Sequence, residues 1–132
     1  MPGSSLWLLP PPYHPLTPIL TTLIAKTSSH FSSPHLFLPH ITLTSDISPT
    51  IYSPDPQTWL SALKFPLAKD VKVSLGNLNS EDVFFRRLYS KVEKDGVKEI
   101  GKVARKTVEG FEREDAARKW AEEEYMPHCS LL

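Results

Sequence analysis

The chain has 132 residues, 40% of them hydrophobic and 23% charged, which is enough for a single domain with its own core. Fifteen basic and fifteen acidic residues cancel, so no global positive field favours long nucleic acids. A single cysteine, Cys129, excludes an internal disulfide and a cysteine-rich metal cluster, and no apolar run approaches the ~18 residues of a membrane-spanning helix.

Leu6-Trp7-Leu8-Leu9 has no basic residues before it and runs into three prolines. It therefore reads as part of a buried strand over 5–9 rather than as a signal peptide. Residues 17–28 carry Ile19, Leu20, Leu23 and Ile24 at helical spacing, one apolar stripe against a core. Residues 28–39 read as a loop, 41–44 as a strand and 46–56 as a second loop. A helix over 55–64 is capped by Asp55, with Pro56 in its first turn and Trp59, Leu60 and Leu63 inside. Pro66 stops it.

Val71-Lys72-Val73-Ser74-Leu75 alternates as a strand does, and Gly76-Asn77-Leu78-Asn79-Ser80 has turn composition. Residues 83–92 are β-rich and end at Asp95-Gly96, so 71–75 and 83–92 are expected to form a hairpin. Residues 97–110 return to helical spacing. Lys98, Lys102, Arg105 and Lys106 are expected on its exposed face. A charged helix over 114–125 turns Ala117, Trp120 and Ala121 inward. The order β-α-β-α-β-β-α-α-β lacks steady βαβ alternation and predicts an α+β fold with a mainly antiparallel sheet.

One phrase occurs twice. Pro39-His40-Ile41-Thr42-Leu43 is echoed by Pro127-His128-Cys129-Ser130-Leu131. In a strand, residues i and i+2 share a face. His40 with Thr42, and His128 with Ser130, can each present an imidazole and a hydroxyl together. Histidine has an unperturbed pKa of about 6.5, so two imidazoles can act as base and acid near neutrality. Two hydroxyls can donate to phosphate oxygens as negative charge grows on them. Two histidines without carboxylate or thiolate partners make a poor zinc site, so neither a metal nor a cofactor is expected. Cys129 alternates to the opposite face and reads as core filler. His14, His30 and His35 read as exposed loop residues. Adjacent Arg86 and Arg87 face opposite ways, and Trp59 and Trp120 read as helix-to-core anchors.

The doubled motif resembles that of the 2H phosphoesterase superfamily, and more closely the fungal and plant 2′,3′-cyclic-nucleotide 3′-phosphodiesterases. Ser5-Leu6-Trp7-Leu8-Leu9-Pro10-Pro11 is similar to the family's first strand, and Phe84-Phe85 through Tyr89 to its central strand. The resemblance implies a bilobal fold with a pseudo-twofold axis over a single domain, 1–132. It implies metal-independent hydrolysis of nucleoside 2′,3′-cyclic phosphates and of ADP-ribose 1″,2″-cyclic phosphate, a by-product of tRNA splicing. The catalytic set would be His40, Thr42, His128 and Ser130, with His128 as base and His40 as acid. Trp7 stands where an aromatic lies near the nucleobase, or packs the first strand into the core. The chain ends at Leu132, where family members continue through a tyrosine and further strands. A C-terminally truncated domain is therefore expected, with the second motif's strand short of neighbours. Alternative readings are an RNA 2′-5′ ligase or end-processing enzyme, and a non-catalytic nucleotide-phosphate-binding remnant. The expected setting is cytoplasmic, as a monomer acting on a small cyclic nucleotide or ADP-ribose cyclic phosphate, with no long nucleic acid and no membrane insertion.

Overall fold

The computed structural model describes residues 3–82 and 86–132. In chain order the elements are β1 (Ser4–Leu8), α1 (Leu16–His30), β2 (Ile41–Ile47), α2 (Pro49–Tyr52) and α3 (Pro56–Ala62). A 3₁₀ turn (Ala68–Asp70), β3 (Leu75–Asn79), β4 (Tyr89–Val92), α4 (Lys94–Arg105), α5 (Glu114–Glu123) and β5 (His128–Ser130) follow. The predicted α+β order holds, with α2 added inside the second loop.

Five strands form one sheet in the order β1-β2-β5-β4-β3, and every neighbouring pair is antiparallel. Two β–α–β units supply four of its strands: β1–α1–β2 on one side, and β4–α4–α5–β5 on the other. Within each unit the two strands are hydrogen-bonded neighbours. The units meet where β2 runs beside β5, with Ile41 opposite Cys129. The second motif strand therefore has neighbours on both sides, β2 and β4, which corrects the expectation that it would lack support.

Helix α4 packs on β2. Val97 and Ala104 meet Ile41, Leu43, Val92 and Cys129 in one apolar cluster, joined by Leu20 of α1 and by Tyr125. Leu131, directly after β5, is also buried. Burying a Leu or Val side chain stabilises by about 1.5–3 kcal/mol, so this cluster fixes the two central strands against α4.

Several sequence expectations need correction. Strand β1 is an edge strand and only half-buried, with Trp7 and Leu9 exposed. Only Leu20 and Ile24 of the α1 stripe are buried; Ile19 and Leu23 face out. Helix α3 has the predicted Asp55 cap, whose Oδ1 accepts from the Thr58 amide at 3.2 Å, but none of its residues is fully buried.

Strand β3 lies over Leu75–Asn79, mostly where composition indicated a turn, and of the predicted strand 71–75 only Leu75 belongs to it. The predicted hairpin survives with later partners: Leu75 pairs with Val92 and Leu78 with Ser90. Ladder bonds to β4 outweigh the weak intrinsic strand preference of Gly and Asn. Residues 83–85 of the predicted strand lie outside the described residues. Asp95 and Gly96 open α4 instead of closing a strand.

The expected exposed basic face of α4 is in part internal. Lys102 is buried, and its ammonium is held by Glu99 at 2.8 Å and Glu114 at 2.6 Å. Arg105 lies against the rings of Phe111 and Trp120 and donates from Nη1 to Thr44 Oγ1 at 3.1 Å. A cation enters this interior because carboxylates and aromatic faces replace water. The same ions tie α4 to α5, since Lys102 of α4 reaches Glu114 of α5 and Arg118 of α5 donates to Glu99 of α4 at 3.5 Å.

Candidate active site

The face of the sheet opposite the α4 contact carries both motifs. Ile41 and Cys129 are buried against the core, whereas His40, Thr42, His128 and Ser130 are half-buried on the other side. The antiparallel pairing of Ile41 with Cys129 sets the rest of the register. One step along each strand puts His40 opposite Ser130, and Thr42 opposite His128. Opposed residues in such a ladder have Cβ atoms about 4.5–5.5 Å apart. The two motifs thus interleave, each imidazole facing the other motif's hydroxyl.

The two histidines are fixed by the same local device. His40 Nδ1 lies 2.7 Å from the Leu38 carbonyl, and His128 Nδ1 lies 3.0 Å from the Met126 carbonyl. Each acceptor is two residues upstream, across the motif proline. A carbonyl only accepts, so Nδ1 carries a proton in both rings and Nε2 is left for proton transfer. Neither contact was foreseen from sequence, although each depends only on the local Leu-Pro-His and Met-Pro-His geometry.

Each histidine also has an aromatic neighbour on the outer strand of its own unit. Trp7 of β1 is paired with Thr42 and stacks on His40, with ring centroids 3.7 Å apart and planes 14° from parallel. Tyr89 of β4 is paired with Ser130 and meets His128 edge-on at 5.2 Å. In both cases the aromatic stands opposite the hydroxyl and reaches diagonally to the imidazole. Trp7 is therefore a surface residue beside His40, 46% exposed, and its core-packing reading is set aside. Sequence reasoning missed Tyr89, which comes beside His128 only through the pairing of β4 with β5.

A bulge ends this row. Trp7 pairs with Thr42 but Leu6 pairs with Thr44, so Leu43 and Thr44 together oppose one residue and both are buried. Just beyond Thr42, β2 therefore turns two successive side chains into the core. A second missed residue acts from behind: the Tyr125 hydroxyl donates to the Thr42 carbonyl at 2.9 Å. Burial pushes this phenol well above its ordinary range, so it remains a donor at any working pH. The Tyr89 hydroxyl donates to Glu81 at 2.8 Å, which raises its pKa. Burial likewise raises the Cys129 thiol, which suits a packing role. A larger cavity of about 560 Å³ lies on the Cys129 side; apart from His14 and His40, its lining is mostly apolar. It offers little to a phosphate.

His14 is exposed, and its Nδ1 accepts from the Leu16 amide at 3.0 Å. His30 and His35 are exposed as expected, but His30 ends helix α1 and does not lie in a loop. Trp120 packs against the core cluster, and Trp59 meets Tyr52 outside it.

Residues 1–132 match the family described as cyclic phosphodiesterase-like protein. The chain belongs to that family. Curated relatives carry the name 2′,3′-cyclic-nucleotide 3′-phosphodiesterase. The one from Phaeosphaeria nodorum is 56% identical over all of this chain and 69% of its own length. The one from Neurospora crassa is 42% identical over all of this chain and 71% of its own length. The one from Yarrowia lipolytica is 29% identical over 98% of this chain. Membership in the cyclic phosphodiesterase-like family agrees with the resemblance read from the doubled motif. Among the described residues, no helix is long and apolar enough to cross a membrane.

Proposed function

We propose that this chain hydrolyses nucleoside 2′,3′-cyclic phosphates without a metal ion, using His40, Thr42, His128 and Ser130. The carrying observation is the Ile41–Cys129 pairing, which sets the two motifs side by side on one sheet face. The names of its fungal relatives support the substrate class.

In this reading His128 Nε2 takes a proton from water as the water oxygen bonds to phosphorus. The bond from phosphorus to the 3′ oxygen breaks, and His40 Nε2 gives its proton to that oxygen. The product is a nucleoside 2′-phosphate with a free 3′ hydroxyl. Thr42 and Ser130 donate to the non-bridging oxygens as their charge rises, a role worth about 10²–10³ in rate per donor. The assignment of His40 as acid is supported by its position on the Trp7 face, since an indole face attracts a cationic ring. The two β–α–β units would be the two lobes flanking the substrate. ADP-ribose 1″,2″-cyclic phosphate is the second substrate we propose, because it presents the same five-membered cyclic phosphate on a ribose.

The test is incubation with adenosine 2′,3′-cyclic phosphate in excess EDTA, with the product identified by ³¹P NMR. Adenosine 2′-phosphate is expected. Absence of turnover, loss of turnover in EDTA, or accumulation of the 3′-phosphate would each overturn the proposal.

A further inference from the structure

A pocket of about 200 Å³ adjoins the site on its β4 side, lined by Arg86, Tyr89, Lys91, Lys94, Met126 and His128 among others. Of the four motif residues, only His128 reaches it. An anion there would be offset from the phosphate held among all four.

Three cations border this pocket. Arg86 Nη1 pairs with Glu81 at 3.4 Å, and Lys94 Nζ donates to the Glu122 carbonyl at 3.1 Å. Lys91 differs from both. It is exposed, and among the described residues its ammonium makes no hydrogen bond or ion pair. It also stands directly opposite His128 in the β4–β5 ladder, so it shares the site's face. Opposed ladder residues sit about 4.5–5.5 Å apart at Cβ, and the lysine stem is long and flexible. The volume suits a phosphoryl group rather than a nucleoside, for which pockets of roughly 300–1,000 Å³ are usual.

We infer that Lys91 is a specificity residue that receives a second phosphoryl group of the substrate. The ligand class is a ribonucleotide bearing one phosphate at the 2′,3′ edge and another elsewhere, on its 5′ side. The inference rests on the proposed reading of the four motif residues as the binding place of the reacting phosphate. Trp7 and Lys91 then flank that phosphate from the two outer strands, one offering an aromatic face and the other a positive charge.

Binding tests this without requiring turnover. Calorimetry would compare adenosine 2′-phosphate with adenosine 2′,5′-bisphosphate on the full chain, for the wild type, K91A and K91R. The wild type should bind the bisphosphate roughly fivefold more tightly, the scale of a partly exposed charge-assisted contact. K91A should bring the ratio close to one, K91R should keep most of it, and added salt should shrink it. A wild-type ratio of one, or an undiminished ratio in K91A, overturns the inference. If neither compound competes with a cyclic nucleotide for the chain, the reading of the motif residues fails as well, and the two failures are thereby told apart.

Discussion

Gly101 is where α4 is pressed onto the ring of Tyr125. A Cβ added there would lie 2.6 Å from Tyr125 Cε2, 3.0 Å from Cδ2 and 3.3 Å from Cζ. The ring has little room to yield. It is buried, stacked on Trp120 at 5.0 Å, and anchored by its hydroxyl to the Thr42 carbonyl. For Gly101→Ala, overpacking costs about 2 kcal/mol, and the disturbed hydrogen bond adds about 1 kcal/mol. Replacing a mid-helix glycine by alanine returns about 1 kcal/mol. The net is a destabilisation of about 2 kcal/mol, or a fall in Tm of roughly 8 °C for a chain of this size. Urea denaturation of the wild type, G101A, Y125A and the double variant measures it. With the ring removed, the clash is gone and the helix preference remains, so G101A should stabilise the Y125A background by about 1 kcal/mol. G101A neutral or stabilising in the wild type would refute the claim that Tyr125 is a fixed strut.

Two further outcomes follow from contacts already described. The Glu114 carboxyl is held down to about 2 from its ordinary 4.5 by hydrogen bonds from Lys102, Lys106 and Arg118. A depressed carboxylate stabilises the fold above its unfolded pKa and loses that contribution as pH falls towards its folded value. Calorimetric melts of E114Q should therefore decline less steeply than wild type between about pH 4.5 and 2; an equal slope contradicts the assignment. At the site, Trp7→Ala removes the ring stacked on His40, and an aromatic pair of this kind is worth about 0.5–1.5 kcal/mol. The variant should lose up to about tenfold in kcat/KM, with Trp7→Phe intermediate. A Phe variant no better than Ala would show that stacking is not what the site uses.

Period-two alternation made the site geometry readable before the fold was known. It placed His40 with Thr42 and His128 with Ser130, and it sent Cys129 to the core, where it is 2% exposed. What alternation cannot supply is the partner of each strand. Tyr89 and Lys91 join the site only through the β4–β5 register, and no local signal in 89–92 announces it. Gly76-Asn77-Leu78-Asn79 reads as a turn because turn composition is local, whereas its pairing with β4 is not. Lys102 was misread for the same reason. A lysine on a charged helix looks solvated until Glu99 and Glu114, the latter on a different helix, are seen to close over it. Ile19 and Leu23 show the converse, apolar spacing that the core does not use in full.

The central claim is that two copies of one short phrase make a single site. Its most direct test is the rate of 2′,3′-cyclic nucleotide hydrolysis by H40A, H128A and the double variant in excess chelator, with folding checked by circular dichroism. Each single variant should lose about 10²–10⁴ in kcat, and the double variant should lose little more than the worse single one, because an acid and a base acting in one step fail as a unit. Full activity in either folded single variant, or losses that multiply in the double variant, would contradict the account.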